Sequence, residues 1–180
     1  MAKIGIVVGS ISKESINRRY AKALVKLAGD KHSFGFIEID KLPLHNRDLV
    51  ENPPAEVTKF KEDAKQYDAF LILTPEYNRS IPAVLKNAID WGSKPQGTSV
   101  WPKPSVIGGT SPGAIGTGIA QQHLRSMLGT LGSLTMPSDL YLTFKPDMID
   151  EDGNVTIEDT KAFLQKFADK MNAFYTKQVG

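Results

Sequence analysis

The chain reads as an α/β protein with one parallel, doubly wound sheet, and three observations predict it. Its strand candidates are short continuous apolar runs, as expected of strands covered on both faces. Those runs alternate with stretches of helical periodicity, five of each, and such alternation puts helices in the crossovers of a parallel sheet. The length of 180 residues fits a single domain over 1–180, and a chain of this size buries roughly 70% of its surface on folding.

Lys3 to Val8 is a β-branched apolar run closed by Gly9 and suits a central strand. Ser10 to Asn17 leads into a helix carrying Tyr20, Ala21, Leu24, Val25 and Leu27 on one face, ended by Gly29 and Asp30. Phe34 to Ile39 is the second strand, Lys41 to Pro54 a proline-bearing loop, and Glu56 to Gln66 a helix with Val57, Phe60 and Ala64 inward. The third strand, Ala69 to Leu73, runs into T-P-E-Y-N-R-S-I-P, where two prolines force the chain out as a stiff loop. Pro82 sits in the first turn of the next helix, which carries Leu85, Ala88, Ile89 and Trp91. Ser93 to Pro104 is a loop, and Ser105 to Gly108 the fourth strand. Thr110 to Gly118 is glycine-rich, and Ile119 to Leu131 is helical. Leu134 to Leu142, interrupted by Pro137, is a short fifth strand near an edge. Thr156 to Tyr175 closes the chain as a helix with Phe163, Leu164, Phe167, Met171 and Phe174 inward.

Composition excludes several function classes. With no cysteine there is no disulfide, thiolate metal site or cysteine nucleophile, so any redox chemistry needs a bound cofactor. A formal net charge of +2, with both signs mixed along the chain, gives no case for a nucleic acid or an anionic membrane. The amino terminus lacks a signal peptide's apolar region, no run approaches the ~20 residues of a membrane span, and the expectation is a soluble cytoplasmic protein. His32, His45 and His123 have no metal-binding spacing, so no metal site is expected. Asp150-Glu151-Asp152-Gly153 has the wrong register for a calcium loop and reads as an acidic turn.

Two topologies compete, the flavodoxin-like order 2-1-3-4-5 and half of a dinucleotide fold, and the strand count favours the first. The first loop decides more. Gly9-Ser10-Ile11-Ser12-Lys13-Glu14-Ser15-Ile16-Asn17 has neither G-x-G-x-x-G nor G-K-[ST], but it places three serines and an asparagine at a helix N-terminus. Unpaired N–H groups and the helix dipole favour an anion there, and these donors suit the terminal phosphate of a mononucleotide. The same serines also serve as helix caps. The loop after the third strand, with Glu76, Tyr77, Asn78 and Arg79, is either a ligand wall or a proline-shaped connection in which Tyr77 packs. The glycines of the loop after the fourth strand allow close approach to a flat ligand, or an ordinary flexible connection. All three loops converge on the carboxyl edge of the sheet, which favours the ligand reading.

The chain resembles the NADPH-dependent FMN reductase family of flavodoxin-like proteins, in particular its chromate- and quinone-reducing branch. The resemblance rests on G-S-x-x-x-x-S-x-N at Gly9 to Asn17, T-P-E-Y-N-R-S-I-P-A-V-L-K-N-A-I-D-W at Thr74 to Trp91, and S-P-G-A-I-G at Ser111 to Gly116. It implies that Ser10, Ser12, Ser15 and Asn17 hold the FMN phosphate, with Ile16 also among the cofactor-binding residues. It implies further that Pro75, Glu76, Tyr77 and Asn78 line the isoalloxazine, while Ser111 and Gly113 approach from the far side. The family usually carries an arginine where this chain has Ser12, and Lys13 substitutes only if its side chain folds back. Gln121-Gln122-His123-Leu124-Arg125 resembles a helix through which members pair into homodimers and homotetramers, making Arg125 an interface candidate as well as a plain helix charge.

The implied activity is FMN-dependent transfer of hydride from NADPH or NADH to a small acceptor: a quinone, an azo compound, a metal oxyanion such as chromate, or free flavin. The flavin carries the chemistry, so no catalytic side chain is expected. The alternative is an FMN-binding electron carrier without efficient NAD(P)H oxidation. Such carriers are typically strongly acidic, and this chain is not.

Overall fold

The computed structural model describes the whole chain, Met1–Gly180. Strands β1 (Lys3–Val8), β2 (Ser33–Ile37), β3 (Ala69–Leu73), β4 (Ser105–Ser111) and β5 (Tyr141–Thr143) form one sheet in the order β2-β1-β3-β4-β5. Every neighbouring pair is parallel. Helices α1 (Ile16–Ala28), α2 (Ala55–Lys65), α3 (Ala83–Ser93), α4 (Gly118–Thr130) and α5 (Glu158–Val179) cover its two faces. No helix is long and apolar enough to cross a membrane.

The continuous apolar runs have a direct structural cause. Ile4, Ile6 and Val8 of β1 and Leu71 and Leu73 of β3 pack with Tyr20 and Leu24 of α1 and Leu164 and Met171 of α5. Their neighbours Val7, Phe70 and Ile72 point the other way, onto Phe60 of α2, Leu85 and Ile89 of α3 and Leu124 of α4. Successive strand residues enter opposite cores, and each fully buried Leu or Ile contributes about 1.5–3 kcal/mol. Helix α5 also docks through polar bonds: Tyr175 donates to the Phe70 carbonyl at 2.8 Å and Asn172 to that of Ala28 at 2.9 Å.

Several boundaries differ from the sequence expectation. Strand β2 stops at Ile37, and β4 continues to Ser111 because Gly109, Thr110 and Ser111 pair with Tyr141, Leu142 and Thr143 of β5. The predicted fifth strand shrinks to those three residues, with Thr135 making only an isolated bridge to Ser105. Pro82 is the N-cap of α3 at φ −62 and ψ 150 rather than a residue of its first turn. On α5 the buried row is Leu164, Phe167, Ala168, Met171, Asn172 and Tyr175. That phase turns Phe163 out, 46% exposed, and leaves Phe174 half-buried. The acidic turn is closed on itself: Asp150 accepts from Asp152 N at 3.0 Å, Asn154 N at 2.7 Å and Asn154 Nδ2 at 2.7 Å.

Candidate functional site

Strands β1, β3 and β4 are adjacent, with Val8 beside Leu73 and Leu73 beside Gly108. The ladder continues one step further, Gly9 N donating to Leu73 O at 2.7 Å and Thr74 N to Gly108 O at 3.0 Å. Three loops therefore leave the sheet from neighbouring points, at the switch in strand order where open α/β sheets bind ligands. Between them lies a cavity of about 230 Å³. It brings together nine of the eleven residues the sequence nominated for the cofactor: Ser10, Ser12, Ser15, Ile16, Asn17, Pro75, Glu76, Tyr77 and Ser111. Asn78 and Gly113 lie outside its lining, whereas Glu14, Thr110 and Pro112 complete it. Thr110 falls in the glycine-rich stretch the sequence singled out but was read there as loop, because β4 runs further than its apolar segment.

The head of α1 is a concentration of free donors. The backbone N–H groups of Ser10 through Glu14, and those of Ile16 and Asn17, have no partner in the chain. Such a run fits a phosphate, whose oxygens accept several hydrogen bonds at once. The Ser10 and Ser12 hydroxyls are uncommitted, and Ser15 Oγ accepts from Arg18 N at 3.2 Å while its own hydrogen remains available. Ser15 thus caps the helix and faces the cavity. The nearest arginines are engaged: Arg18 pairs with Glu38 at 2.7 Å and lies 4.9 Å over the Phe36 ring, and Arg19 meets Glu151 at 3.6 Å.

Asn17 is 1% exposed, and both polar atoms of its side chain are taken by Thr110. Nδ2 donates to Thr110 O and Oδ1 accepts from Thr110 N, each at 2.9 Å. The carboxamide is thus anchored to the end of β4, and what Asn17 leaves open is its second Nδ2 hydrogen and its backbone N–H.

The loop after β3 is a miniature hairpin. Tyr77 and Ser80 exchange both backbone bonds at 3.0 Å, with Asn78 and Arg79 at φ 50 and 62 between them. Two left-handed residues define a type I′ turn, and an arginine there costs roughly 1–2 kcal/mol. The turn leaves Tyr77 58% exposed at the mouth of the cavity. The Glu76 carboxylate turns away onto α4, where Oε2 accepts from Ile119 N at 3.0 Å and Ala120 N at 3.1 Å. Arg79 reaches it at 3.7 Å. Helix α4 has no side-chain cap of its own, so Glu76 supplies one from another loop.

On the third side, Ser111 Oγ donates to Gly116 O. Glycine is required at Gly116, with φ +62 and the Leu142 backbone 3.2 Å from a Cβ, rather than at Gly113, where a Cβ meets only Ser111 Oγ at 3.6 Å. Gly109 is required too, since a Cβ there falls 2.1 Å from Thr74 O. Arg125 is braced within its own chain, donating to Thr135 Oγ1 at 2.8 Å, Met136 O at 2.9 Å and Asp139 at 2.9 Å. Of the segment around it, Gln121 and Leu124 are buried while Gln122 and His123 are exposed.

Other features do not compete. Burial lowers the Lys61 and Lys103 pKa values and raises those of Tyr20 and Tyr175, and none of the four lines this cavity. A larger cavity of about 590 Å³ lies around His32 and Gly180, away from the carboxyl edge and without a helix N-terminus.

The strand order and the donor-rich loop at its switch point define a flavodoxin-like nucleotide-binding protein. Residues 2–147 match the model of a family described as NADPH-dependent FMN reductase, and the chain belongs to that family. It is accordingly an enzyme whose cofactor is FMN and whose electron donor is NAD(P)H. The chain is 47% identical over 174 residues to a 2-hydroxy-1,4-benzoquinone reductase of a Burkholderia species, covering 96% of this chain and 95% of that one. It is 42% identical over 171 residues to a quinone reductase of Pseudomonas putida, covering 93% and 91%. Among solved structures, FerB, a flavoenzyme NAD(P)H:(acceptor) oxidoreductase from Paracoccus denitrificans, superposes with a TM-score of 0.92 at 39% identity over 99% of both chains.

Proposed function

We propose that this chain is a quinone reductase in which the cavity at the heads of α1 and α4 holds FMN. The observation that carries the reading is the unbroken set of free N–H groups from Ser10 to Glu14, continued by Ile16 and Asn17, beside the Tyr77 hairpin. Bound FMN supplies hydride transfer between a nicotinamide and an acceptor. In this reading the Ser10, Ser12 and Ser15 hydroxyls and those N–H groups hold the phosphate. The backbone of Pro75, Glu76 and Tyr77 orients the ring, Asn78 shapes the turn behind it, and Ser111 and Gly113 form the opposite wall. Exposed Tyr77 leaves the mouth open, so solvent can deliver and remove protons and no side chain is assigned as acid or base.

Two relatives at more than 40% identity named for quinones support a quinone as acceptor. Azo compounds, chromate and free flavin are further acceptors an open site would admit. The net charge of +2 weighs against a carrier that docks through an acidic face. A turnover screen of NADPH and NADH against quinones, azo dyes, chromate and flavins tests the assignment. The highest kcat/KM is expected with a quinone, and turnover confined to another acceptor class contradicts it. We also propose a homodimer or homotetramer, supported by the outward Gln122 and His123 of α4. Light scattering that shows a monomer removes this part.

A further inference from the structure

We propose that Asn17 and Glu76 are positioning residues: their side chains bond across the elements that frame the cavity and so preform it before a ligand binds. This rests on the FMN reading of the site. Asn17 stands in the first turn of α1 and Glu76 in the loop after β3, and both reach the segment formed by β4 and α4. Asn17 makes a reciprocal pair with one residue, Thr110, 93 positions away, and is buried to 1% exposure. Thr110 takes the amide oxygen and one of the two Nδ2 hydrogens, which fixes the plane of the carboxamide against the end of β4. Any reorientation of this amide would abandon a buried backbone N–H and C=O, which holds the side chain in its bridging place. Glu76 has its carboxylate 10% exposed, on the free N–H groups of Ile119 and Ala120. A negative charge at a helix N-terminus is stabilised there, and its withdrawal would leave α4 uncapped. These four bonds tie the head of α1 to the end of β4 and the loop after β3 to the head of α4, fixing the frame of the cavity before a ligand arrives.

Flavin affinity and amide exchange together test the proposal on the full chain. Asn17→Ala is expected to weaken FMN and riboflavin by the same factor, about tenfold, because it loosens a wall both ligands share. Exchange at the Thr110 amide should accelerate in parallel. Loss of FMN alone, with Thr110 still protected, overturns the inference for Asn17. A measurement without mutation guards against a variant that does not fold. In the wild type the Asn17 side-chain proton bonded to Thr110 should stay protected when FMN is exchanged for riboflavin, and protection seen only with FMN overturns the assignment. Glu76→Ala should deprotect Ile119 and Ala120 and weaken both flavins, while Glu76→Gln, which keeps an acceptor oxygen, restores both readouts. Equal loss in Glu76→Gln with those amides still protected overturns the inference for Glu76. A wild type that binds neither flavin, yet keeps Thr110, Ile119 and Ala120 protected, refutes the FMN reading and not the bonds that frame the cavity.

Discussion

Ser12 is where this chain departs from its family's pattern, and neither Lys13 nor an arginine lines the cavity in its place. Arg18 is held by Glu38 and Arg19 by Glu151, leaving the phosphate to backbone donors and hydroxyls. Ser12→Arg is accordingly expected to strengthen FMN by about 1.5 kcal/mol, roughly tenfold, because a charged hydrogen bond replaces a neutral one. Riboflavin, which lacks the phosphate, should be unaffected, and an equal gain for both ligands contradicts the assignment. Ser15→Ala should weaken FMN more than riboflavin and also cost about 1 kcal/mol of stability as a lost N-cap, read from equilibrium unfolding. The serines at the head of α1 were legible because a cap and an anion site use the same residue types at the same place. The side-chain partners of Asn17 and Glu76 were not, since Thr110, Ile119 and Ala120 lie 93, 43 and 44 residues away and only the sheet order brings them together.

Local signals placed most elements, and tertiary pairing moved their ends. Lys3–Val8 and Ala69–Leu73 match expectation because both faces of a central strand are buried and, past the exposed Lys3, no residue of either run is polar. The end of β4 was hidden because Gly109, Thr110 and Ser111 become strand only through pairing with β5. The proline-bearing loop 41–54 gave no periodic signal because side chains from another element hold it. Asn87 accepts from His45 N at 2.7 Å and donates to Pro43 O at 2.9 Å, and Trp91 Nε1 donates to the same carbonyl at 2.7 Å. Asn87→Ala should cost about 2–3 kcal/mol and open residues 44–52 to limited proteolysis, whereas unchanged cleavage would show that Trp91 alone suffices. The Asp150 turn has a pH signature. Hydrogen bonds from the Asn154 side chain, then its backbone N–H, hold the Asp150 carboxyl below its usual value. A depressed carboxylate stabilises the fold above its unfolded pKa, about 4, and that contribution fades as pH falls through the folded value. Asp150→Ala should therefore lower Tm at pH 7, with a gap to wild type that narrows in acid. A gap that widens on acidification contradicts this.

At the scale of the whole molecule, two cores on either side of one sheet hold the carboxyl ends of β1, β3 and β4 in register, and the site is built on that edge. The scaffold sets where donors converge, and the loops set what they bind. The most direct test of an FMN-dependent NAD(P)H oxidoreductase is an anaerobic titration of the purified protein with NADPH and NADH, followed at the flavin absorbance. The account predicts a yellow protein, bleached by stoichiometric nicotinamide and restored by adding a quinone. A protein that stays yellow in the presence of both nicotinamides, or that is colourless and is not stabilised by added FMN, would contradict it.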